Sequence, residues 1–201
     1  MDVFFTFNLF MVKKKCNWCL GDPLYENYHD TEWGVPVYDD QKLFEFLTLE
    51  SFQAGLSWIT ILRKRRNFSI AFDGYDYNKV ACYSDQKKIE LMNDKGIIRN
   101  RLKIDATVSN AQAFIKIHNR YGSFSQFIWD FTAGKPLVNT FKTLDEVPPF
   151  TPLAEKISKV LKNEGFKFIG PTIVYSHMQA TGMVNDHLVD CFRYREIESP
   201  C

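Results

Sequence analysis

The spacing of apolar residues predicts helices along most of the chain. Asp39 or Asp40 provides an N-cap for a helix that begins near Gln41, since a short carboxylate side chain accepts hydrogen bonds from free backbone N–H groups. Gly55 interrupts this pattern, and a second helical pattern begins at Trp58. The apolar positions recur every three or four residues, as on a buried helix face: Leu43, Phe46, Leu47, Leu49 or Glu50, Trp58, Ile59 and Leu62.

The rest of the chain continues with capped helices separated by glycine- or proline-containing turns. The predicted helices are Ser84 to about Met92, Arg101 to Tyr121, Ser123 to Phe131, Thr151 to Glu164 and Gly170 to Gly182, and then a last helix that Asn185 caps and that carries His187 and Cys191. Residues 132–150 contain several Gly and Pro residues and are predicted to form a loop. Because no segment alternates convincingly between apolar and polar residues, the predicted fold class is all-α.

The length of 201 residues is enough for one good core. Residues 14–201 are predicted to form a single helical domain, preceded by an N-terminal extension at 1–13. The first twelve residues are apolar, but the run is too short to cross a membrane and has no basic residues before it, unlike a signal peptide. Five Cys residues without framework spacing argue against a secreted disulfide scaffold, so we expect a cytoplasmic protein without a membrane partner. The absence of an obvious oligomerisation stripe favours a monomer.

Charge and aromatic content leave a nucleic-acid partner open. The formal net charge of +1 indicates no such partner by itself, but basic residues cluster at positions 13–15, 63–66 and 99–103. Aromatic residues make up 15% of the chain, and most of the 18 Phe residues are expected in the core. Trp and Tyr side chains in the N-terminal third are candidates for stacking on bases.

Two Cys and two His residues are candidate metal ligands. On the predicted last helix, His187 and Cys191 are four residues apart and would share one face. With Cys16 and His29 they would form a closed tetrahedral zinc site, which is typical of a structural metal. Spacing alone leaves alternatives open: buried Cys residues often only pack, and Cys19, which forms a CxxC motif with Cys16, is another potential ligand or a redox partner.

A hairpin between two helices is predicted at residues 165–172. Its glycines and the start of the second helix would present backbone N–H groups to a DNA phosphate, and Lys167 would add positive charge. An ordinary turn between two helices explains the same pattern. The segment 184–187 (VNDH) follows the second helix, where helix-hairpin-helix glycosylases carry a catalytic Asp. Asn185 occupies that slot, with Asp186 one residue later, so the usual carboxylate is expected to be missing.

Four segments together resemble the Tag family of DNA-3-methyladenine glycosylases, within the helix-hairpin-helix superfamily. They are residues 22–36, 49–60, 165–170 and 184–187, and they occur in the family's order within about residues 14–195. The resemblance implies an enzyme that flips 3-methyladenine out of alkylated double-stranded DNA and hydrolyses its N-glycosidic bond. It also implies one structural Zn²⁺ per chain, held by Cys16, His29, His187 and Cys191.

The resemblance further implies which side chains hold the flipped base. Glu50 would accept hydrogen bonds from the adenine edge and is the implied catalytic residue. The remaining implied contacts are Tyr28 and Trp58 stacking on the base, Trp18 bordering it, Tyr25 and Ser176 as polar contacts, Leu56 beside Gly55 as a wedge into the duplex, and Lys167 and Gly170 of the hairpin on the DNA.

Some features fall outside the resemblance, and other functions remain as alternatives. His177 is expected to pack or to lie at the surface, although an imidazole beside Ser176 would also be able to perturb the pocket. One alternative is another helix-hairpin-helix glycosylase, in which Lys167 would serve lyase chemistry. The second is a zinc-stabilised DNA-binding module without enzymatic activity.

Overall fold

A computed structural model describes residues 13–198 of the chain, so most of the predicted N-terminal extension lies outside the described residues. The described part is mainly helical. Its helices are α1 (Pro23–Thr31), α2 (Asp40–Gln53), α3 (Trp58–Ala71), α4 (Tyr77–Val80), α5 (Asp85–Asn93), α6 (Arg101–Tyr121), α7 (Phe124–Trp129), α8 (Pro152–Asn163), α9 (Pro171–Ala180) and α10 (Phe192–Glu198). Short 3-10 turns occupy Asn17–Cys19, Asp73–Tyr75, Asp130–Thr132 and Leu144–Glu146. No helix between residues 13 and 198 has both the length and the apolar character that crossing a membrane requires.

The predicted starts of α2, α5 and α8 are confirmed by their caps. The carboxylate of Asp39 accepts a hydrogen bond from the Lys42 N–H, so Asp39 rather than Asp40 caps α2. The side chains of Ser84 and Thr151 cap α5 and α8 in the same way. These contacts are local, and for that reason the sequence reveals them.

Helix α2 lies at the centre of the core and contacts α3, α6, α7 and α9. Its side chains are buried on more than one face, and Phe44 meets Phe114 of α6 edge-on at 5.3 Å between ring centroids. Replacing one such Phe by Ala typically costs about 3–5 kcal/mol, so this helix is held rigidly. As a consequence, α2 carries a polar residue near its C-terminal end, Glu50, into the protein interior.

The end of the chain differs from the prediction. The last helix begins at Phe192, so His187 and Cys191 lie in the turn before it and not on a helix. Asn185 does not cap a helix: its side chain accepts the His187 N–H and donates to the Tyr194 carbonyl. These two side-chain hydrogen bonds stabilise the turn, where a helix would have used backbone hydrogen bonds.

Two further features were absent from the prediction. Asp22 caps α1, and Pro23 stands at its first position, a start signal that the sequence carries. Strand β1 (Leu137–Val138) pairs in parallel with β2 (Val184–Asn185), so the predicted loop at 132–150 is tied to the C-terminal segment. This pairing joins residues 47 positions apart and is too short to leave a periodic signal.

Candidate active site and metal cluster

A pocket of about 340 Å³ opens between α1, α2, α3 and α9. Its walls combine aromatic rings with a few polar groups. The lining residues are Trp18, Tyr25, Tyr28, Trp33, Glu50, Gln53, Trp58, Leu144, Val147, Ser176, Gln179 and Asp186. All six residues predicted to contact a base are therefore brought together: Trp18, Tyr25, Tyr28, Glu50, Trp58 and Ser176.

The aromatic walls belong to two groups. Tyr28 of α1 and Trp58 at the start of α3 have ring centroids 5.4 Å apart. Trp18 lies 4.9 Å from Tyr25 and 5.0 Å from Trp33, again between ring centroids. Trp33 was not predicted as a pocket residue, although it stands within the segment that carries the resemblance. The pocket thus offers several flat, electron-rich faces to a planar ligand.

Glu50 lies 3% exposed at the pocket, near the end of α2. No described residue forms a hydrogen bond with its Oε2 atom. Because burial disfavours the charged carboxylate, the pKa of Glu50 rises from 4.5 to about 8. The indole N–H of Trp58 is likewise buried and has no partner within the described chain. Such unpaired buried groups are uncommon in folded proteins and are typical of a site completed by a ligand.

Asp186 is a second carboxylate at the pocket, and the sequence analysis missed it. Its Oδ2 accepts hydrogen bonds from the Tyr175 hydroxyl at 2.5 Å and from Gln179 at 2.8 Å, while Oδ1 accepts one from Asn139 at 2.6 Å. Asn185 does not line the pocket. The structure thus places a carboxylate at this wall, one residue after the slot that the sequence analysis assigned to Asn185.

His177 packs in the protein interior, which is one of the two environments that the sequence analysis expected for it. It is 2% exposed and donates its Nε2 hydrogen to the Leu43 carbonyl at 3.2 Å. Burial lowers the pKa of His177 to about 4, so the imidazole is neutral near pH 7. It does not line the pocket beside Ser176.

The residues predicted to contact DNA lie outside the pocket lining. Leu56 is 41% exposed and follows Gly55, whose φ of 83° is in the left-handed region that favours glycine. Lys167 is exposed in the turn between α8 and α9, and Gly170 immediately precedes α9. Two separate loops thus present these residues at the surface.

The four predicted metal ligands also meet. Cys16, His29, His187 and Cys191 are buried, and their ligand atoms lie within 4.8 Å of one another. The Sγ of Cys191 is 3.4 Å from Nε2 of His29 and 3.6 Å from Nδ1 of His187. The Sγ of Cys16 lies 3.7 Å from the same Nδ1 atom. This cluster joins the N-terminal segment to the turn before α10.

Each imidazole of the cluster is oriented by its other nitrogen. Nδ1 of His29 pairs with the Asp30 carboxylate at 2.8 Å, and Nε2 of His187 pairs with the Trp33 carbonyl at 3.0 Å. Metal-bound histidines usually have such partners. Cys19 lies outside the cluster, and its thiol donates to the Cys16 carbonyl at 3.1 Å. The arrangement can therefore hold a metal ion with two thiolate and two imidazole ligands.

Comparisons with known proteins identify the family of the chain. The family profile described as methyladenine glycosylase matches residues 18–194. The DNA-3-methyladenine glycosylase 1 of Escherichia coli K12 is 48% identical over 181 residues, which cover 90% of this chain and 97% of the relative. The corresponding enzyme of Haemophilus influenzae is 45% identical and covers 88% of this chain, with 96% of its own length matched.

Solved structures are similar along the same part of the chain. The 3-methyladenine DNA glycosylase I of Staphylococcus aureus, solved to explain 3-methyladenine recognition, superposes with a TM-score of 0.86 at 42% identity. The match covers 89% of this chain and 95% of the other. On the extent of the family match and on these identities, the chain belongs to the methyladenine glycosylase family.

Proposed function

We propose that this protein is a DNA glycosylase that excises 3-methyladenine from alkylated double-stranded DNA by hydrolysing the N-glycosidic bond. The observation that carries this proposal is the unpaired Oε2 of Glu50, held in a pocket between aromatic rings. The names of the curated relatives support the same activity.

The chemistry of the substrate fits such a pocket. Methylation at N3 makes the adenine cationic, which weakens its glycosidic bond and lets it leave as a neutral base. A cation gains about 0.5–2 kcal/mol over an electron-rich ring, so Tyr28 and Trp58 favour the damaged base over neutral adenine. The nucleotide must first leave the stack, which costs a few kcal/mol and less for a damaged base.

Glu50 provides the edge recognition in this proposal. Adenine presents an exocyclic amine as a hydrogen-bond donor, whereas guanine presents a carbonyl at the same place. An ionised Glu50 accepts from the amine and repels the carbonyl, so 7-methylguanine is excluded. The positive charge of the bound base also favours the ionised carboxylate that burial disfavours in the free protein.

Asp186 has a different role from Glu50 in the proposed mechanism. Its two oxygens already accept three hydrogen bonds, so it is less available as a proton acceptor than Glu50. Its negative charge at the pocket wall favours the positive charge that develops on the sugar as the base leaves. Positioning and electrostatics thus supply most of the catalysis for a substrate that is already activated.

The exposed loops are proposed to engage DNA. Leu56 enters the gap that the flipped nucleotide leaves in the duplex, as apolar wedges do in other DNA-binding proteins. The hairpin with Lys167 and Gly170 contacts a phosphate through backbone N–H groups and the start of α9. These contacts fix the protein on the duplex without reading its sequence.

We further propose that the cluster of Cys16, His29, His187 and Cys191 holds one structural Zn²⁺ per chain. Around a tetrahedral zinc with Zn–S of about 2.3 Å and Zn–N of about 2.05 Å, sulfur and nitrogen ligands lie about 3.6 Å apart. The observed S–N separations of 3.4, 3.6 and 3.7 Å match this value. Four protein ligands leave no open position, which favours a structural metal, and elemental analysis should give about one zinc per chain.

The activity is tested by incubating the protein with methylated DNA and identifying free bases by mass spectrometry. Release of 3-methyladenine supports the proposal. Binding of DNA without base release would favour the non-enzymatic DNA-binding module. Strand cleavage at abasic sites without added base or heat would favour a lyase-type glycosylase that uses Lys167.

A further inference from the structure

Helix α6 carries three polar side chains into the protein interior, of which Thr107 bonds within the helix while Lys103 and Asn110 reach other segments. Lys103 is 6% exposed and Asn110 is 3% exposed, although most of their buried neighbours on this helix are apolar. They stand seven residues apart, so they share one face of the helix and lie about 10 Å apart along its axis. Burying an ammonium or an amide is unfavourable unless each finds hydrogen-bond partners. The partners therefore indicate what this face of α6 does.

Lys103 holds the C-terminal end of α2. Its Nζ atom donates to the carbonyl of Phe52 at 2.8 Å and to that of Ala54 at 2.7 Å. The last carbonyls of a helix lack partners within the helix and carry partial negative charge, so an ammonium group is well placed there. The loop that follows carries Gly55 and Leu56 at the surface. Lys103 thereby fixes the point from which this loop leaves the core.

Asn110 holds the hairpin between α8 and α9. Its Oδ1 accepts the Lys167 N–H at 2.7 Å, and its Nδ2 donates to the Lys167 carbonyl at 3.0 Å. This reciprocal pair imitates the pairing of two strands and fixes the two peptide groups on either side of the Lys167 Cα atom. The next residue, Phe168, has a φ of 54° and is held in the left-handed region.

Two serine side chains also contact backbone carbonyls of the hairpin. The hydroxyl of Ser158 donates to the Ile169 carbonyl at 2.6 Å, and that of Ser51, which donates to the Leu47 carbonyl at 2.8 Å, also lies 3.4 Å from the Phe168 carbonyl. Side chains of the core thus contact three successive hairpin carbonyls and hold those of Lys167 and Ile169 most closely. Within the described chain, the N–H groups of residues 168–170 have no acceptor. The hairpin carbonyls are therefore held by the core. Ile169 is fully buried, so the residues at which an anion can approach a free N–H group are Phe168, which is 42% exposed, and Gly170.

We propose that Lys103 and Asn110 are positioning residues that hold the two exposed loops, residues 53–57 and 165–170, in the relative placement that one DNA duplex requires. This inference rests on the proposed function, since it takes DNA as the ligand of both loops. Neither Lys103 nor Asn110 lines the pocket, and Asn110 holds Lys167, which also lies outside the lining. Lys103, in contrast, holds the carbonyls on either side of Gln53, which does line the pocket. Binding of a free base in the pocket should therefore be independent of Asn110.

The test measures binding of two ligands to the full-length, zinc-loaded protein. Fluorescence anisotropy follows a duplex that carries a tetrahydrofuran abasic site, and tryptophan fluorescence follows free 3-methyladenine. We expect Asn110→Ala to raise the duplex Kd about tenfold, because the hairpin that the two hydrogen bonds hold must then be ordered on binding, and to leave the Kd for the free base within about twofold. The slope of log Kd against log salt should fall by about one for this variant, because one phosphate contact is lost.

Lys103→Met should have a different signature. It should also weaken duplex binding about tenfold, but the salt slope should stay unchanged, because the 53–57 loop contributes a wedge and not a phosphate contact. Matched controls are Asn119→Ala and Lys116→Met, which make the same kinds of change at exposed positions of α6. Both controls should bind the two ligands as the wild type does.

Two results would overturn the proposal. Asn110→Ala that binds the duplex with the wild-type Kd and salt slope would show that the hairpin does not need this anchor. A parallel loss of free-base and duplex binding in Asn110→Ala would show that Asn110 merely supports the fold. If Lys103→Met fails to fold, the Asn110→Ala result decides alone.

Because these are binding measurements, they are separate from catalysis. A wild type that releases no base contradicts the proposed function. An active wild type whose Asn110→Ala variant binds the duplex unchanged contradicts only this inference.

Discussion

The burial of Glu50 predicts that a substitution at the pocket stabilises the free protein. In the folded state Glu50 keeps its proton up to a pKa of about 8, whereas the unfolded chain loses it near 4.5. The folded state therefore binds more protons between these values, so the free energy of unfolding falls as pH rises through this window and levels off above pH 8. Glu50→Gln removes the titrating group and with it this loss of stability.

The magnitude follows from the two pKa values. One pKa unit corresponds to about 1.4 kcal/mol, so the full cost of the ionised carboxylate approaches about 5 kcal/mol at high pH. At pH 6 the same relation gives about 2 kcal/mol. The stability advantage of Glu50→Gln over the wild type should thus grow by about 3 kcal/mol between pH 6 and pH 9.

Urea unfolding of both proteins at pH 6, 7.5 and 9, with zinc bound, measures this difference. The matched control is Glu45→Gln on the same helix. Burial alone would raise the pKa of Glu45, but hydrogen bonds and charge from Arg65 hold it below its usual value. Its effect on stability should therefore not vary between pH 6 and pH 9. A Glu50→Gln difference that stays constant over this range would refute the reasoning, since Glu50 would then not be a buried carboxylate without a counter-charge.

Other predictions concern the metal cluster and the core. Cys191→Ala should lose the bound zinc and several kcal/mol of stability, measured by elemental analysis and urea unfolding; retention of one zinc would exclude Cys191 as a ligand. Because burial holds the pKa of His177 near 4, below the ordinary 6.5, wild-type stability should fall by about 3 kcal/mol as pH drops from 6.5 to 4. His177→Asn should lack this component, and equal pH dependence of the two proteins would contradict it. Asp40→Asn should destabilise the fold by about 1–3 kcal/mol, because Asp40 accepts the Phe124 and Ser125 N–H groups at the start of α7; an unchanged urea midpoint would contradict this.

The sequence predicted those parts of the structure that local patterns encode. Caps such as Asp39 and Thr151 mark helix starts, because their side chains bond to backbone groups two or three residues away. The clustering of the four candidate metal ligands is confirmed as well, although the helix predicted for His187 and Cys191 is not present. A turn brings residues four apart together as a helix does, so the right cluster followed from a wrong local structure.

The remaining features depend on contacts between distant segments. The resemblance placed Asn185 in the slot of a catalytic carboxylate, but only the pairing of β1 with β2 reveals that Asp186 meets the pocket. The buried Lys103 gave no sequence signal, since its carbonyl partners lie about 50 positions earlier and any residue provides a carbonyl. Such contacts follow from how the helices pack, which single-sequence periodicity does not specify.

The central claim, that Glu50 and the aromatic walls select a cationic adenine, is tested most directly by comparing bases released from methylated DNA. Wild type and Glu50→Gln are incubated with the same DNA, and 3-methyladenine and 7-methylguanine are quantified by mass spectrometry. The account predicts that the wild type releases 3-methyladenine with little 7-methylguanine. It also predicts that the folded, zinc-loaded variant loses most of the 3-methyladenine release. Equal release of both bases by the wild type, or unchanged 3-methyladenine release by the variant, would contradict it.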